Sequence, residues 1–99
     1  MPSTELEIRN PSGLHARPAA LFVEAARRFA ADVQVANLTR KPEKKASARS
    51  LLGVVALGIS HGHRIRIDAD GADADAAINA LRGLVESGLG EALAPNGQS

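Results

Sequence analysis

A histidine and an arginine stand two residues apart where a turn gives way to a helix-compatible run. His15 and Arg17 follow the segment Asn10-Pro11-Ser12-Gly13, and Pro18 and a run of apolar residues come after them. The four residues before the pair favour turns. Pro18 suits the first turn of a helix, where its missing N–H is not needed. The sequence therefore predicts that His15 lies at or next to the cap of a helix N-terminus.

This position suggests phosphoryl chemistry. The start of a helix has unpaired N–H groups and a partial positive charge, which together favour anions and phosphate in particular. Neutral imidazole is a competent nucleophile near neutral pH, and the Arg17 guanidinium can hold a phosphoryl group by charge-assisted hydrogen bonds. A histidine at such a site is more often an ordinary cap or surface residue. The combination Gly13-Leu14-His15-Ala16-Arg17-Pro18 favours a phosphoryl acceptor instead.

Composition narrows the protein class. The chain has 99 residues, which is enough for one domain with a single core. It has no cysteine, so disulfides and thiol chemistry are excluded. A net charge of +1 and only two aromatic residues argue against nucleic-acid binding. The N-terminus lacks the basic and apolar regions of a signal peptide, and no apolar run is long enough to span a bilayer. We expect a cytoplasmic protein without direct membrane insertion.

Hydrophobic periodicity predicts an α+β fold in the order β-α-β-β-α-β-α. Alternating patterns predict strands over residues 4–9, 32–38 and 64–69, with a further short strand over 45–48. Helical spacing predicts long helices over 16–30 and 72–86, and a short helix of one or two turns after Ser50. Residues 39–44 are polar and contain a proline, which predicts a loop. Short connections between strands favour an antiparallel four-stranded sheet, covered on one face by the three helices. We expect one domain over residues 1–91 and a flexible tail over 92–99.

The stretch from Ser50 to Ile59 allows two interpretations of its serine. Ser50 can be a helix N-cap, a role worth about 1 kcal/mol, or a regulatory site whose phosphate would lie beside Leu51 and Leu52. The pattern alone favours the cap. Leu51, Leu52, Val54 and Val55 are too many apolar residues for one buried stripe, so some of them face outward or contact a partner.

His61 and His63 also invite a metal-binding interpretation. The two residues flank Gly62 in a predicted turn, and no third ligand type lies near them in the sequence. Because a metal site needs more ligands, an exposed turn is the better interpretation. We expect neither a metal nor a cofactor.

Two segments together resemble a known family. The run Gly13-Leu14-His15-Ala16-Arg17-Pro18-Ala19-Ala20 resembles the active-site signature of HPr, the histidine-containing phosphocarrier of the bacterial sugar phosphotransferase system. The run Lys45-Ala46-Ser47-Ala48-Arg49-Ser50-Leu51-Leu52-Gly53-Val54 is similar to the regulatory-serine segment of the same family. The resemblance covers roughly residues 4–91. It implies the family's open-faced β-sandwich, in agreement with the predicted order of elements.

The resemblance also implies roles for individual residues. His15 would carry the phosphoryl group on Nδ1, taking it from phosphorylated Enzyme I and passing it to an EIIA-type domain. Arg17 would help to hold the phosphate, and Ser12 with the backbone of Ala16 and Arg17 would complete its surroundings. Ser50 would be the serine that an HPr kinase/phosphorylase modifies in some bacteria. The docking surface would have an apolar centre and a basic rim, formed by Leu51, Leu52, Val55, Arg27 and Arg49.

Several functional alternatives stay open at this stage. The 39–44 segment is a few residues longer than in typical members. The sequences around residues 37–39, 48–50 and 61–63 resemble HPr domains of multiphosphoryl transfer proteins, including the phosphoryl donor of dihydroxyacetone kinase. A nitrogen or carbon regulatory phosphorelay is a related role, and a regulatory binding module switched at Ser50 is a different one. An enzyme with its own small substrate is disfavoured, since no acid–base pair is evident. The short chain favours an independent carrier, and the need to expose His15 favours a monomer.

Overall fold

The computed structural model describes residues 2–91, and the predicted tail over 92–99 lies outside the described residues. Seven elements follow one another in the order β-α-β-β-α-β-α, as the periodicity predicts. They are β1 (Ser3–Glu7), α1 (Ala16–Ala26), β2 (Asp32–Asn37), β3 (Lys41–Ser47), α2 (Leu51–Ala56), β4 (Arg64–Asp70) and α3 (Ala74–Glu86).

The four strands form one antiparallel sheet in the order β1-β4-β2-β3. Alternation along β4 decides the two faces of this sheet, because successive side chains point to opposite sides. Ile65, Ile67 and Ala69 are fully buried beneath the helices, whereas Arg64 and Asp70 are exposed on the other face. The α+β class and the helix-covered sheet are therefore confirmed.

The core between sheet and helices consists mainly of small and branched aliphatic side chains. Phe22 on α1 is the one aromatic residue that is completely buried among the described residues, while Phe29 is only partly buried. The apolar stripe predicted for the last helix is also confirmed, since Ala77, Ile78 and Leu81 pack into this core. Hydrophobic burial thus joins α1 and α3 to the central strands.

Helix α1 ends four residues earlier than its periodicity predicts. The sequence predicts a helix to residue 30, but the last helical residue is Ala26. The backbone N–H groups of Ala30 and Ala31 donate to the Asp73 carboxylate at 2.8 Å each, instead of continuing the helix. Asp73 is 43 positions from Ala30 and 42 positions from Ala31 in the sequence. Its contact with these residues therefore outweighs the local preference for a longer helix.

The prediction of a loop over 39–44 is wrong for residues 41–44, which belong to a strand. Strand β3 begins at Lys41, and Asn37 of β2 pairs with Lys41 whereas Ala36 pairs with Lys45. Residues 42–44 form a bulge between these two pairs. Pro42 is tolerated there because β3 is an edge strand, where a missing N–H breaks no central ladder.

Smaller boundary differences affect the other elements. Strand β1 ends at Glu7 rather than residue 9, and Ile8 exchanges irregular hydrogen bonds with His63 and Gly62. The short helix α2 and the turn around residues 61–62 occur where they are predicted.

Asp73 provides a test of the contact that shortens α1. Hydrogen bonds from Ala30, and to a smaller extent Ala31, lower the pKa of the Asp73 carboxyl below its ordinary value of 3.8. A group with a lowered folded-state pKa stabilises the fold above that ordinary value, and this contribution disappears as the pH falls through the lowered pKa. We expect Asp73→Asn to lower the free energy of unfolding at pH 6, and the difference from wild type to shrink below about pH 3.8.

Urea unfolding of both proteins between pH 6 and pH 2 measures this difference. Asp75→Asn is the matched control, because Asp75 is an exposed carboxylate in the first turn of the same helix. A gap between wild type and Asp73→Asn that stayed constant over this range would contradict the role given to the carboxylate.

Candidate functional site

The loop before α1, residues 10–15, is fixed by a close backbone approach to the segment after α2. The N–H of Leu14 donates to the carbonyl of Ile59 at 2.9 Å, and the Leu14 side chain is fully buried. Gly13 has a φ of +63°, and a Cβ at this position would lie 2.5 Å from the Ile59 carbonyl oxygen. Glycine is therefore required here both by conformation and by space. These contacts place the next residue, His15, at the start of α1.

His15 is the N-cap residue of α1, as the sequence predicts. Its backbone is extended, with φ −131° and ψ 161°, and its carbonyl accepts from the Ala19 N–H at 3.4 Å. The half-buried imidazole makes no capping hydrogen bond. The ring nitrogens are thus not consumed by the cap, and the histidine can act as a nucleophile.

Ala16, the first helical residue, adopts a left-handed conformation with a φ of +50°. For a residue with a side chain this conformation costs roughly 1–2 kcal/mol. Such strain persists only where the surrounding structure imposes it, and it occurs often at functional sites. Here the imposed turn connects the extended backbone of His15 to the helix.

Two backbone donors remain at this helix start. Within residues 2–91, neither the Ala16 N–H nor the Arg17 N–H donates a hydrogen bond, and Pro18 has no N–H. Both N–H groups belong to the positive end of the α1 dipole, and the exposed Arg17 guanidinium adds a full charge. Free backbone donors and positive charge at one helix start suit an anion such as a phosphoryl group. Ser12, which the resemblance places near the phosphate, has an exposed side chain in the same loop.

A carboxylate near the end of the described chain holds this loop from the other side. Glu91 accepts from the side chain of Asn10 at 3.0 Å, and from Ser12 through its N–H at 3.0 Å and its hydroxyl at 2.7 Å. These hydrogen bonds, first that from Asn10 and then those from Ser12, lower the pKa of Glu91 below its ordinary value of 4.5. Glu91 is separated from the loop by about eighty residues, and no feature of the sequence marks it as part of the site.

An exposed apolar surface lies on α2. We define it as Leu51, Leu52 and Val55, whose exposed fractions are 42%, 84% and 37%, and call it the α2 patch. Val54 faces the other way and is fully buried. The apolar excess in this stretch is therefore divided between the core and the surface, as the sequence suggests. Isolated exposed apolar residues are common, but a contiguous set indicates an interaction site.

Ser50 begins α2 as its N-cap, and its Oγ accepts from the Gly53 N–H at 3.1 Å. This confirms the capping interpretation of the serine. The residue is also exposed, so the hydroxyl lies at the surface beside the α2 patch.

The two predicted rim arginines are brought together. The guanidinium of Arg27 donates through Nε and Nη2 to the carbonyl of Arg49, at 3.1 and 3.0 Å. This contact ties the end of α1 to the residue before Ser50. His15, the arginine pair and the α2 patch all belong to the segment pair formed by α1 and α2.

The His63 side chain takes part in hydrogen bonds within the fold. Its Nδ1 lies 3.1 Å from both the Ser60 N–H and the Asn37 amide nitrogen. The Asn37 oxygen accepts from two backbone N–H groups, so its amide nitrogen faces the histidine as a donor. Within residues 2–91, no three His, Asp or Glu side chains are grouped as metal ligands would be.

Comparison with known proteins identifies the family. Residues 2–87 match the family model of the phosphorylation site of the HPr component of the phosphotransferase system. The chain belongs to the HPr family of phosphocarrier proteins. It is 43% identical over 75 residues to the phosphocarrier protein HPr of Haloferax volcanii, which covers 76% of this chain and 82% of that protein. The crystal structure of HPr-C-His from Thermoanaerobacter tengcongensis superposes with a TM-score of 0.86 at 44% identity, covering 94% of this chain and all of that one.

HPr sequences also occur within longer proteins. The chain is 47% identical over 91 residues to the multiphosphoryl transfer protein of Escherichia coli O157:H7, which covers 90% of this chain. The aligned region is only 23% of that protein, so this chain spans about a quarter of the relative's length.

Over the described residues, every helix is too short or too polar to traverse a lipid bilayer.

Gly13 offers a test of how the His15 loop is held. A Cβ at Gly13 would lie 2.5 Å from the Ile59 oxygen and 2.7 Å from the Ser60 Cα, and backbone atoms cannot move aside easily. We expect Gly13→Ala to lower the free energy of unfolding by about 1–3 kcal/mol, as overpacking and a positive φ both oppose it. Urea unfolding measures the change.

Gly83→Ala is the matched control. Gly83 lies inside α3, and a Cβ there would meet no atom within 4 Å. Alanine favours the helix over glycine by about 1 kcal/mol, so this variant should be stabilised. Equal effects of the two substitutions would show that the close approach at Gly13 does not constrain the loop.

Proposed function

We propose that the chain is a phosphocarrier, which accepts a phosphoryl group on His15 from phosphorylated Enzyme I and passes it to EIIA-type domains of the sugar phosphotransferase system. The observation that carries this proposal is the N-terminus of α1. There the uncapped His15 is followed by two backbone N–H groups without partners in residues 2–91 and by an exposed arginine, Arg17. Membership of the HPr family supports the same assignment.

The transfer needs one nucleophilic atom on this chain. The lone pair on Nδ1 of neutral His15 attacks the phosphorus of the donor, and the bond between phosphorus and the donor atom breaks with its electron pair leaving on the donor. A new N–P bond forms, and the proton on Nε2 is not required to move. The reverse sequence of bonds passes the group to the acceptor. The chain itself is the covalent intermediate and converts no small molecule.

The surroundings of His15 stabilise the transferred charge. Phosphoryl transfer is accelerated mainly by positioning and by electrostatic stabilisation of the phosphoryl oxygens. The Ala16 and Arg17 N–H groups supply fixed donors at the positive end of the helix, and the Arg17 guanidinium supplies charge-assisted hydrogen bonds. We assign Ser12 to the same surroundings, since its N–H and O–H lie in the loop that precedes His15.

The α2 patch is the proposed centre of partner docking, with Arg27 and Arg49 as its basic rim. Its three residues bury apolar area when a partner covers them, and the basic rim favours an acidic surface opposite. A partner seated here also covers His15 and excludes water from the transfer, so the chain needs no deep pocket of its own. Because His15 must be reachable by two partners in turn, we propose that the functional unit is a monomer in the cytoplasm.

The pathway has more than one candidate. The relationship to multiphosphoryl transfer proteins is compatible with service as a donor to dihydroxyacetone kinase or in a regulatory phosphorelay.

Exposure of Ser50 at the start of α2 favours a second proposal, regulation by an HPr kinase/phosphorylase. A phosphate on Ser50 would place about two negative charges next to the α2 patch and weaken docking there. A purely regulatory module would respond to Ser50→Asp and not to His15→Ala.

The proposed acceptor is tested by labelling. Incubation of the chain with phosphoenolpyruvate and Enzyme I should give acid-labile phosphate, and His15→Ala should abolish it because the nucleophile is removed. Arg17→Ala should still be labelled, but the kcat of Enzyme I for phosphorylating this variant should fall by about 10-fold or more, since one charge-assisted contact is lost. His61→Ala is the matched control and should be labelled normally. Label on the His15→Ala variant would refute the assignment.

The docking surface is tested separately. Leu52 is 84% exposed, so Leu52→Ala should leave the free energy of unfolding within about 0.5 kcal/mol of wild type. It should raise the KM of Enzyme I for the chain by about 10-fold, as expected when a contact worth above 1 kcal/mol is truncated. Asn79→Ala, at an exposed position of α3, should leave KM unchanged. An unchanged KM for Leu52→Ala would place the interface elsewhere.

A further inference from the structure

Glu91 accepts hydrogen bonds from two donors of Ser12, which the proposed function assigns to the phosphoryl group on His15. Its Oε2 accepts the Ser12 hydroxyl at 2.7 Å, and its Oε1 accepts the Ser12 N–H at 3.0 Å. Both donors of Ser12 are therefore engaged by one carboxylate in the unphosphorylated chain. The inference below rests on the proposed function, because it concerns what happens to Ser12 when His15 carries a phosphoryl group.

Ser12 lies within reach of that phosphoryl group. His15 is three positions after Ser12, so the Cα atoms of the two residues are at most about 11 Å apart. The loop between them is compact rather than extended. The N–H of Gly13 donates to the carbonyl of Asn10 at 3.2 Å, and the side chain of Asn10 donates to the carbonyl of Gly13 at 3.0 Å. The turn leaves the Ser12 side chain exposed at its corner.

Two anions then compete for one set of donors. A phosphoryl group carries up to two negative charges, and its oxygens accept hydrogen bonds as strongly as a carboxylate does. Glu91 adds a like charge in direct contact with Ser12, and salt screens charges fully only beyond about 8 Å. As long as Glu91 keeps the Ser12 donors, the phosphoryl group gains less stabilisation and feels repulsion.

We propose that Glu91 is a positioning residue for phosphotransfer, which holds the Ser12 donors while His15 is unphosphorylated and opposes their transfer to the phosphoryl group. The consequence is a destabilised phosphohistidine. The phosphoryl group is then passed on more readily, as a carrier between two partners requires. The Asn10 side chain also donates to the Gly13 carbonyl and to Glu91, and these hydrogen bonds keep the loop folded in the unphosphorylated state. The Glu91 carboxylate therefore affects both the conformation of the loop and the stability of the phosphohistidine.

The substitution Glu91→Gln separates these two contributions. Glutamine keeps one side-chain oxygen for the N–H donors of Asn10 and Ser12, and its amide can donate to the Ser12 hydroxyl, so the loop stays held. Only the negative charge is lost. Glu86→Gln is the matched control, because Glu86 is an exposed glutamate at the end of α3.

The first experiment measures the equilibrium between phosphorylated and unphosphorylated chain. Full-length variants are incubated with catalytic Enzyme I at a fixed ratio of phosphoenolpyruvate to pyruvate, and the phosphorylated fraction is read by ³¹P NMR. We expect Glu91→Gln to raise the equilibrium constant for phosphorylation by three- to tenfold, and Glu86→Gln to leave it unchanged. A constant equal to wild type in Glu91→Gln would overturn the proposal. Absence of phosphorylation in every protein, wild type included, would instead refute the proposed function.

A double-mutant cycle tests whether the effect passes through Ser12. In a Ser12→Ala background the competed donor hydroxyl is absent, so Glu91→Gln should raise the equilibrium constant by less than half of its effect in wild type. An undiminished effect would show that Glu91 acts by charge alone and would overturn the positioning role. A loss of unfolding free energy in Glu91→Gln without any change of the equilibrium constant would likewise reduce Glu91 to a structural contact.

Discussion

The close approach of Gly13 to the backbone of Ile59 and Ser60 is the constraint on which the functional surface depends. It brings the loop before α1 against the segment after α2. The hydrogen bond from the Leu14 N–H to the Ile59 carbonyl fixes the position of one segment relative to the other. It adds to the hydrogen bonds between Arg27 and Arg49, which join the other end of α1 to the start of α2. The proposed nucleophile at the start of α1 and the proposed docking surface on α2 are thereby held on one scaffold.

The charge pattern of the site divides between its two sides. On the α1 side, Arg17 and the helix start attract an anion. On the far side, Glu91 accepts the donors of Ser12 and adds a negative charge. A carrier must bind the phosphoryl group firmly enough to accept it and loosely enough to release it. A site that is positive on one side and negative on the other is suited to both requirements, because neither state is stabilised excessively.

Much of the fold and the central part of the site can be predicted from local patterns. Alternation in β4 and the 3.6-residue spacing in α3 determine which faces are buried, since burial acts on every turn of an element. The cap at His15 and the cap at Ser50 follow from turn residues and helix formers that are adjacent in sequence. Where the determinants lie within a few residues, the sequence is sufficient.

The remaining features depend on contacts across the chain that no local pattern encodes. The end of α1 is set by Asp73, and β3 is extended through Pro42 because Asn37 of β2 supplies a partner. Glu91 reaches the His15 loop from the other end of the domain, and its neighbours in sequence look like an ordinary helix end. The left-handed backbone of Ala16 is likewise imposed by the fold, because alanine does not prefer it.

We propose that the phosphoryl group resides on His15 at the start of α1 and is held by the Ala16 and Arg17 N–H groups. The most direct measurement is NMR spectroscopy of the ¹⁵N-labelled chain before and after phosphorylation by Enzyme I. We expect phosphorus coupling to Nδ1 of His15, together with large downfield shifts of the Ala16 and Arg17 amide protons as they gain a hydrogen-bond acceptor. Phosphorus bonded to any other residue, or a phosphorylated His15 with both amide protons unmoved, would contradict it.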